Sequence, residues 1–91
     1  MEEKFLAALA ANREKAAKLG VRIRPVTDMA QAKRNLSGSR TSDGFGDLAR
    51  LGRLELSLEA LAIDRRFTSL FTDGEANIAL DRLLCAGYRF S

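Results

Sequence analysis

The chain has 91 residues, 46% of them apolar and 30% charged, with a formal net charge of +3, the profile of one small folded domain and not of a disordered or collagen-like chain. It carries no histidine, no tryptophan and one cysteine, which excludes His-based acid–base catalysis, a zinc cluster and an internal disulfide. Its apolar runs, such as residues 6–11, fall far short of the roughly 20 residues of a membrane-spanning helix, and the acidic Met1-Glu2-Glu3 opening lacks the basic start of a secretory signal, so a cytoplasmic protein is expected.

Residues 2–19 read as a first helix. Phe5, Leu9, Asn12, Ala16 and Leu19 recur at three- and four-residue steps and share one face. Glu2 and Glu3 near its start and Lys15 and Lys18 near its end suit the helix dipole. Gly20 is the expected left-handed stop, with Val21 placed to touch Ala16. Val21-Arg22-Ile23-Arg24 alternates apolar and basic residues, the pattern of a short strand, which Pro25 would end. Thr27 is the expected N-cap of a second helix over 28–36, with Met29, Ala32 and Leu36 inward and Lys33 and Arg34 outward.

Residues 37–46 hold three Gly and four Ser/Thr and read as a flexible loop inside one fold rather than a linker between two. The Asn35-Leu36-Ser37 sequon, without a secretory signal, is taken as chance. Residues 45–51 form an expected short helix broken by Gly52, residues 53–56 an extended piece, and Ser57 the cap of a helix over 58–65. Thr72-Asp73-Gly74-Glu75 has the spacing of a capping box. It opens a last helix over 73–86, with Ala76, Leu80 and Leu83 on one stripe and Ile78 and Cys85 on another. Gly87 ends it, Tyr88 packs back on Leu83, and 88–90 are extended. The expected fold is mainly α with minor β: one domain spanning 1–91, with four to five short helices and two to three short strands. Its core would include Phe5, Leu9, Leu19, Val21, Ile23, Met29, Leu36, Leu48, Leu51, Leu58, Leu61, Phe67, Leu70, Leu80, Leu83 and Cys85.

The residues supply little catalytic chemistry. The commonest base, His, is absent, a Ser–Lys pair is formally possible but no spacing points to one, and Cys85 reads as a core residue. Glu55 and Glu59 read as surface carboxylates, and Asp43 to Asp47 lack the ligand spacing of a calcium loop. No glycine pattern forms a phosphate cradle. No enzyme activity, metal or cofactor is expected. A helix-turn-helix reader is disfavoured because the last helix would display Asp73, Glu75, Asn77 and Asp81 with only Arg82 to meet phosphates.

Charge distribution carries the remaining signal. Residues 1–46 have a net charge of +4 and residues 47–91 of −1; within 13–40 the excess reaches +6. Such asymmetry suits an acidic partner. Arg22, Arg24, Lys33, Arg34, Arg40, Arg13 and Lys18 are the candidate binding residues, arginine being suited to bridge two oxygens of a phosphate or carboxylate. A solvated surface with no ligand is the competing reading of the same charges. No aromatic residue is interleaved among them, so base stacking is unsupported. The expectation is a small non-enzymatic binding protein that docks nucleic acid or a complex containing it. The alternative is a protein–protein modulator, such as a small inhibitor or adaptor of the kind a phage or other mobile element encodes. The apolar row Leu54, Leu56, Leu58 and the two apolar flanks of the last helix suggest a homodimer.

Overall fold

In a computed structural model, which describes residues 1–38 and 40–88, five α-helices and two 3-10 turns follow one another. They are α1 (Glu2–Lys18), α2 (Met29–Ser37), α3 (Phe45–Arg50), a 3-10 turn at Leu54–Leu56, α4 (Leu58–Ala62), a 3-10 turn at Thr68–Leu70, and α5 (Asp73–Cys85). No strand occurs among the described residues, and no helix is long and apolar enough to cross a membrane.

The helix ends follow the local chemistry of the sequence. Gly20 at φ +86° reverses the chain after α1, and the Val21 amide donates back to the Ala16 carbonyl at 2.9 Å. Gly87 at φ +81° ends α5 in the same way, with the Tyr88 amide donating to the Leu83 carbonyl. At the start of α5 the capping box is complete: Thr72 Oγ1 accepts from the Glu75 amide and the Glu75 carboxylate accepts from the Thr72 amide. Ser57 caps α4. Asp28, not Thr27, caps α2, accepting from the Gln31 amide at 2.8 Å. Thr27 instead donates its own amide to the Gln31 side chain.

Two apolar clusters are bridged by Ile63, which packs on both. The first joins α1, α2, α4 and α5 around Phe5, whose ring meets Phe67 and Phe71 edge-on at 5.3 and 5.2 Å, a favoured aromatic geometry. The second gathers Ala16, Val21, Phe45, Leu48, Leu54, Leu56 and Leu83.

The expected strands at 21–24 and 53–56 are absent. A strand needs a partner to take its amides, and neither segment has one among the described residues. Val21 is buried because the turn at Gly20 carries it back over Ala16. Leu54 and Leu56 alternate with Arg53 and Glu55, yet both are buried in one 3-10 turn that is covered by α1 and α3 and adjoins α4. The third extended piece, 88–90, falls largely outside the described residues; Tyr88 has no regular structure.

Core membership also differs. Leu19, Leu51, Leu80 and Cys85 are exposed, and Ile23 and Leu70 are only half-buried. Phe45, Leu54, Leu56, Phe71 and Ala79 are buried in addition to the expected residues. On α5 the buried face is Ala79 and Leu83, flanked by half-buried Ala76 and Arg82. The inward stripe is therefore rotated away from Leu80 and Cys85. With Leu54, Leu56 and Leu58 all buried within one chain, that row offers nothing to a second copy.

Candidate functional site

Residues 21–27 lack regular structure and are held by side chains from three directions. From α1, Arg13 Nε donates to the Ile23 carbonyl at 3.1 Å. From the 38–44 connection, Asp43 Oδ2 accepts the Arg24 amide at 2.7 Å. From α2, the Gln31 side chain accepts the Thr27 amide and donates to the Pro25 carbonyl.

This lacing leaves a cleft of about 290 Å3 between α1, the 23–26 segment, α2 and the 41–43 turn. Leu9, Ile23, Val26, Leu56 and Leu58 give it an apolar lining. Arg13, Arg24, Gln31, Asn35, Thr41, Ser42 and Asp43 supply its polar groups. Gln31 and Asn35 are one helical turn apart, so α2 turns the same side to the cleft twice. At about 100° per residue, Lys33 falls on the opposite flank of the buried Met29–Ala32–Leu36 stripe.

Behind the cleft wall lies a buried charge. Glu59 of α4 is fully buried. Its carboxylate accepts from the Ser42 amide at 2.9 Å, from Ser42 Oγ, and from Arg82 Nη1 at 3.2 Å. The Arg82 guanidinium, itself only 10% exposed, also donates to the carbonyls of Asn35 and Gly38 at 2.9 and 2.8 Å. Those carbonyls lie at the C-terminal end of α2, where the helix leaves acceptors unmatched. One ion pair thus joins α4, α5, the end of α2 and the turn that forms one cleft wall. The expectation that Glu59 is a surface carboxylate is corrected by this burial, and so is the placing of Arg82 among the displayed residues of the last helix.

Of the seven candidate binding residues, the cleft brings together Arg13 and Arg24. Arg22, Arg34, Arg40 and Lys18 are exposed outside it. Lys33 is engaged elsewhere: its Nζ pairs with Glu75 at 3.2 Å and lies 5.5 Å from the centre of the Phe71 ring. Partial burial of Glu75 favours its neutral form, but the Thr72 amide and Lys33 outweigh that and hold its carboxyl below the ordinary range. The hydrogen bonds from the Arg66 side chain and amide do the same to Asp64.

Sequence reasoning missed Gln31, Asn35, Thr41, Ser42 and Asp43 as cleft residues, and the Glu59–Arg82 pair. For Glu59 a signal exists: it is the one charge in the run Leu54 to Ile63 other than Glu55, set in Leu58-Glu59-Ala60-Leu61-Ala62 with apolar residues on every side. An acid so placed has to face a partner. No protein family, curated protein or solved structure matches the chain.

Proposed function

We propose that the chain is a small non-enzymatic, cytoplasmic binding protein that docks nucleic acid, or a complex containing it, through its basic N-terminal half. One observation supports this most: the two halves treat their arginines differently. In the C-terminal half Arg50, Arg53, Arg66 and Arg82 each pair with a carboxylate of the same chain, and among the described arginines there Arg65 alone does not. Among the described residues, no carboxylate pairs with Arg13, Arg22, Arg24, Arg34, Arg40 or Lys18. Those side chains remain available to external oxyanions, and arginine bridges phosphate oxygens in a fork. Because the signal is charge with no interleaved aromatic residue, the expected affinity is sequence-independent and strongly salt-dependent.

Electrophoretic mobility shift at two salt concentrations tests the reading. Five phosphate contacts predict a loss of roughly 10^2- to 10^3-fold in affinity between 50 and 200 mM salt. The Arg22→Glu/Arg24→Glu protein should fold normally and bind more than about tenfold more weakly. Unchanged binding by that variant would remove Arg22 and Arg24 from the site. No shift at low salt, with a stable protein partner in a pull-down, would support the protein–protein modulator, for which exposed Leu80 and Leu84 on α5 are the available contacts.

A further inference from the structure

We propose that the cleft between α1 and α2 is a site for a small organic anion: a carboxylate carried on a compact apolar body. The inference does not rest on nucleic-acid binding; it follows from the polar groups the fold leaves unmatched around an apolar floor.

Arg13 is the centre of the argument. Its Nε–H is committed to the Ile23 carbonyl, which fixes the plane of the guanidinium at the cleft wall. Its Nη atoms have no hydrogen-bond or ion-pair partner among the described residues. A half-buried, oriented guanidinium with free donors is the group that recognises a planar carboxylate. The Asn35 side-chain amide and Thr41 hydroxyl also line the cleft without a hydrogen-bond partner among the described residues, so two neutral donors are available beside the charged one. Arg24 adds a second unpaired cation, and Asp43 is the one acid on the lining. The balance of formal charge is +1, complementary to a monoanion.

The floor decides the rest of the ligand. Leu9, Leu56 and Leu58 give it a surface that inorganic phosphate would leave unused. The volume, about 290 Å3, lies at the small end of ligand pockets, which run from about 300 to 1,000 Å3. That accommodates one aromatic or short aliphatic acid.

The test uses the full chain labelled with 15N and four probes: 4-phenylbutanoate, 4-phenylbutan-1-ol, acetate and inorganic phosphate. The expected result is saturable shift of the Ile23, Gln31 and Thr41 amides with 4-phenylbutanoate. The alcohol, which lacks the charge, and acetate, which lacks the body, should each bind at least about tenfold more weakly, since a charged hydrogen bond contributes about the 1.4 kcal/mol that makes a factor of ten. Arg13→Met should reduce affinity by a similar factor, with changes in the spectrum of the free protein confined to the 21–27 segment that Arg13 holds. Should Arg13→Met fail to fold, Thr41→Val, at an exposed position, has to weaken binding severalfold. Asp43→Asn should tighten it severalfold, because it removes the like charge and keeps an acceptor for the Arg24 amide. Equal binding of alcohol and acid, phosphate binding as tight as 4-phenylbutanoate, or shifts confined to residues outside the cleft would each overturn the assignment. So would the absence of any saturable shift.

Discussion

Glu59 is the residue whose replacement should cost the fold most. Glu59→Leu retains a side chain of similar size but leaves the Arg82 guanidinium 10% exposed without its counter-charge. It also strips the buried Ser42 amide and hydroxyl of their acceptor. Breaking a buried pair by removing one partner costs about 3–5 kcal/mol. A 91-residue domain has a total stability of about 5–14 kcal/mol, so the loss is a large fraction of the whole. At about 4–8 °C per kcal/mol for a domain this size, Tm should fall by upwards of about 12 °C. Glu59→Gln separates charge from hydrogen bonding: its amide oxygen can still accept from Ser42 and Arg82, so it should cost less than Glu59→Leu. Arg82→Met should be comparably damaging, because it leaves a buried carboxylate and releases the Asn35 and Gly38 carbonyls. The double variant Glu59→Leu/Arg82→Met carries neither charge, and should be more stable than the two single losses added together by about 1–3 kcal/mol. Urea denaturation of the four proteins measures the cycle. Additive single losses, or Glu59→Leu within about 1 kcal/mol of the parent, would refute the reasoning.

Other perturbations follow from single sites. Gly44 caps α3 at φ +77°, and an added Cβ would meet Ile23 Cγ1 at 2.8 Å and Val21 Cγ1 at 3.0 Å. Gly44→Ala should therefore lower stability by more than the roughly 1–3 kcal/mol of a strained backbone alone, whereas Gly20→Ala, with open space around it, should show only the backbone cost in the same denaturation assay. Thr72→Ala should cost about 1 kcal/mol through loss of the cap, read as a lower urea midpoint. Because the Glu75 carboxyl sits below its ordinary range in the folded chain, the hydrogen bond it accepts from the Thr72 amide and its ion pair with Lys33 add stability above the unfolded value of about 4.3, which is lost as pH falls through the folded one. The stability gap between the parent and Glu75→Gln should thus be constant near neutral pH and close below about pH 4. Exposed Cys85 should react with a maleimide in the native protein without a change in Tm; protection until unfolding would contradict its place on α5.

The local signals in the sequence match the structure at most helix ends that a single turn of chain decides, although at α2 the cap is Asp28 and not the neighbouring Thr27. The capping box at Thr72–Glu75, the Ser57 cap and the left-handed stops at Gly20 and Gly87 depend on residues within a few positions of one another. Strands depend on distant partners, so alternation in Val21-Arg22-Ile23-Arg24 and Arg53-Glu55 carried no such information. At 54–56 the alternation arises because α1 and α3 both cover the turn, and at Val21 because the Gly20 turn folds the chain back over Ala16.

The phase of α5 shows the same limit on a helix. Ala76, Leu80 and Leu83 form as regular a stripe as any in the sequence, yet Ala79 and Leu83 are the residues that turn inward. What rotates the helix is not its apolar residues alone. Arg82, half-buried beside that face, has its counter-charge in Glu59 on α4 and its remaining acceptors at the end of α2. A buried charge costs several kcal/mol unless it is paired, more than the burial of Leu80 returns, at about 1.5–3 kcal/mol for a fully buried leucine. The helix therefore gives up an apolar contact to keep an ionic one. The same pair fixes Ser42, and through Ser42 the wall of the cleft. A reading of α5 by hydrophobicity alone therefore misses both the helix phase and the element that shapes the candidate site.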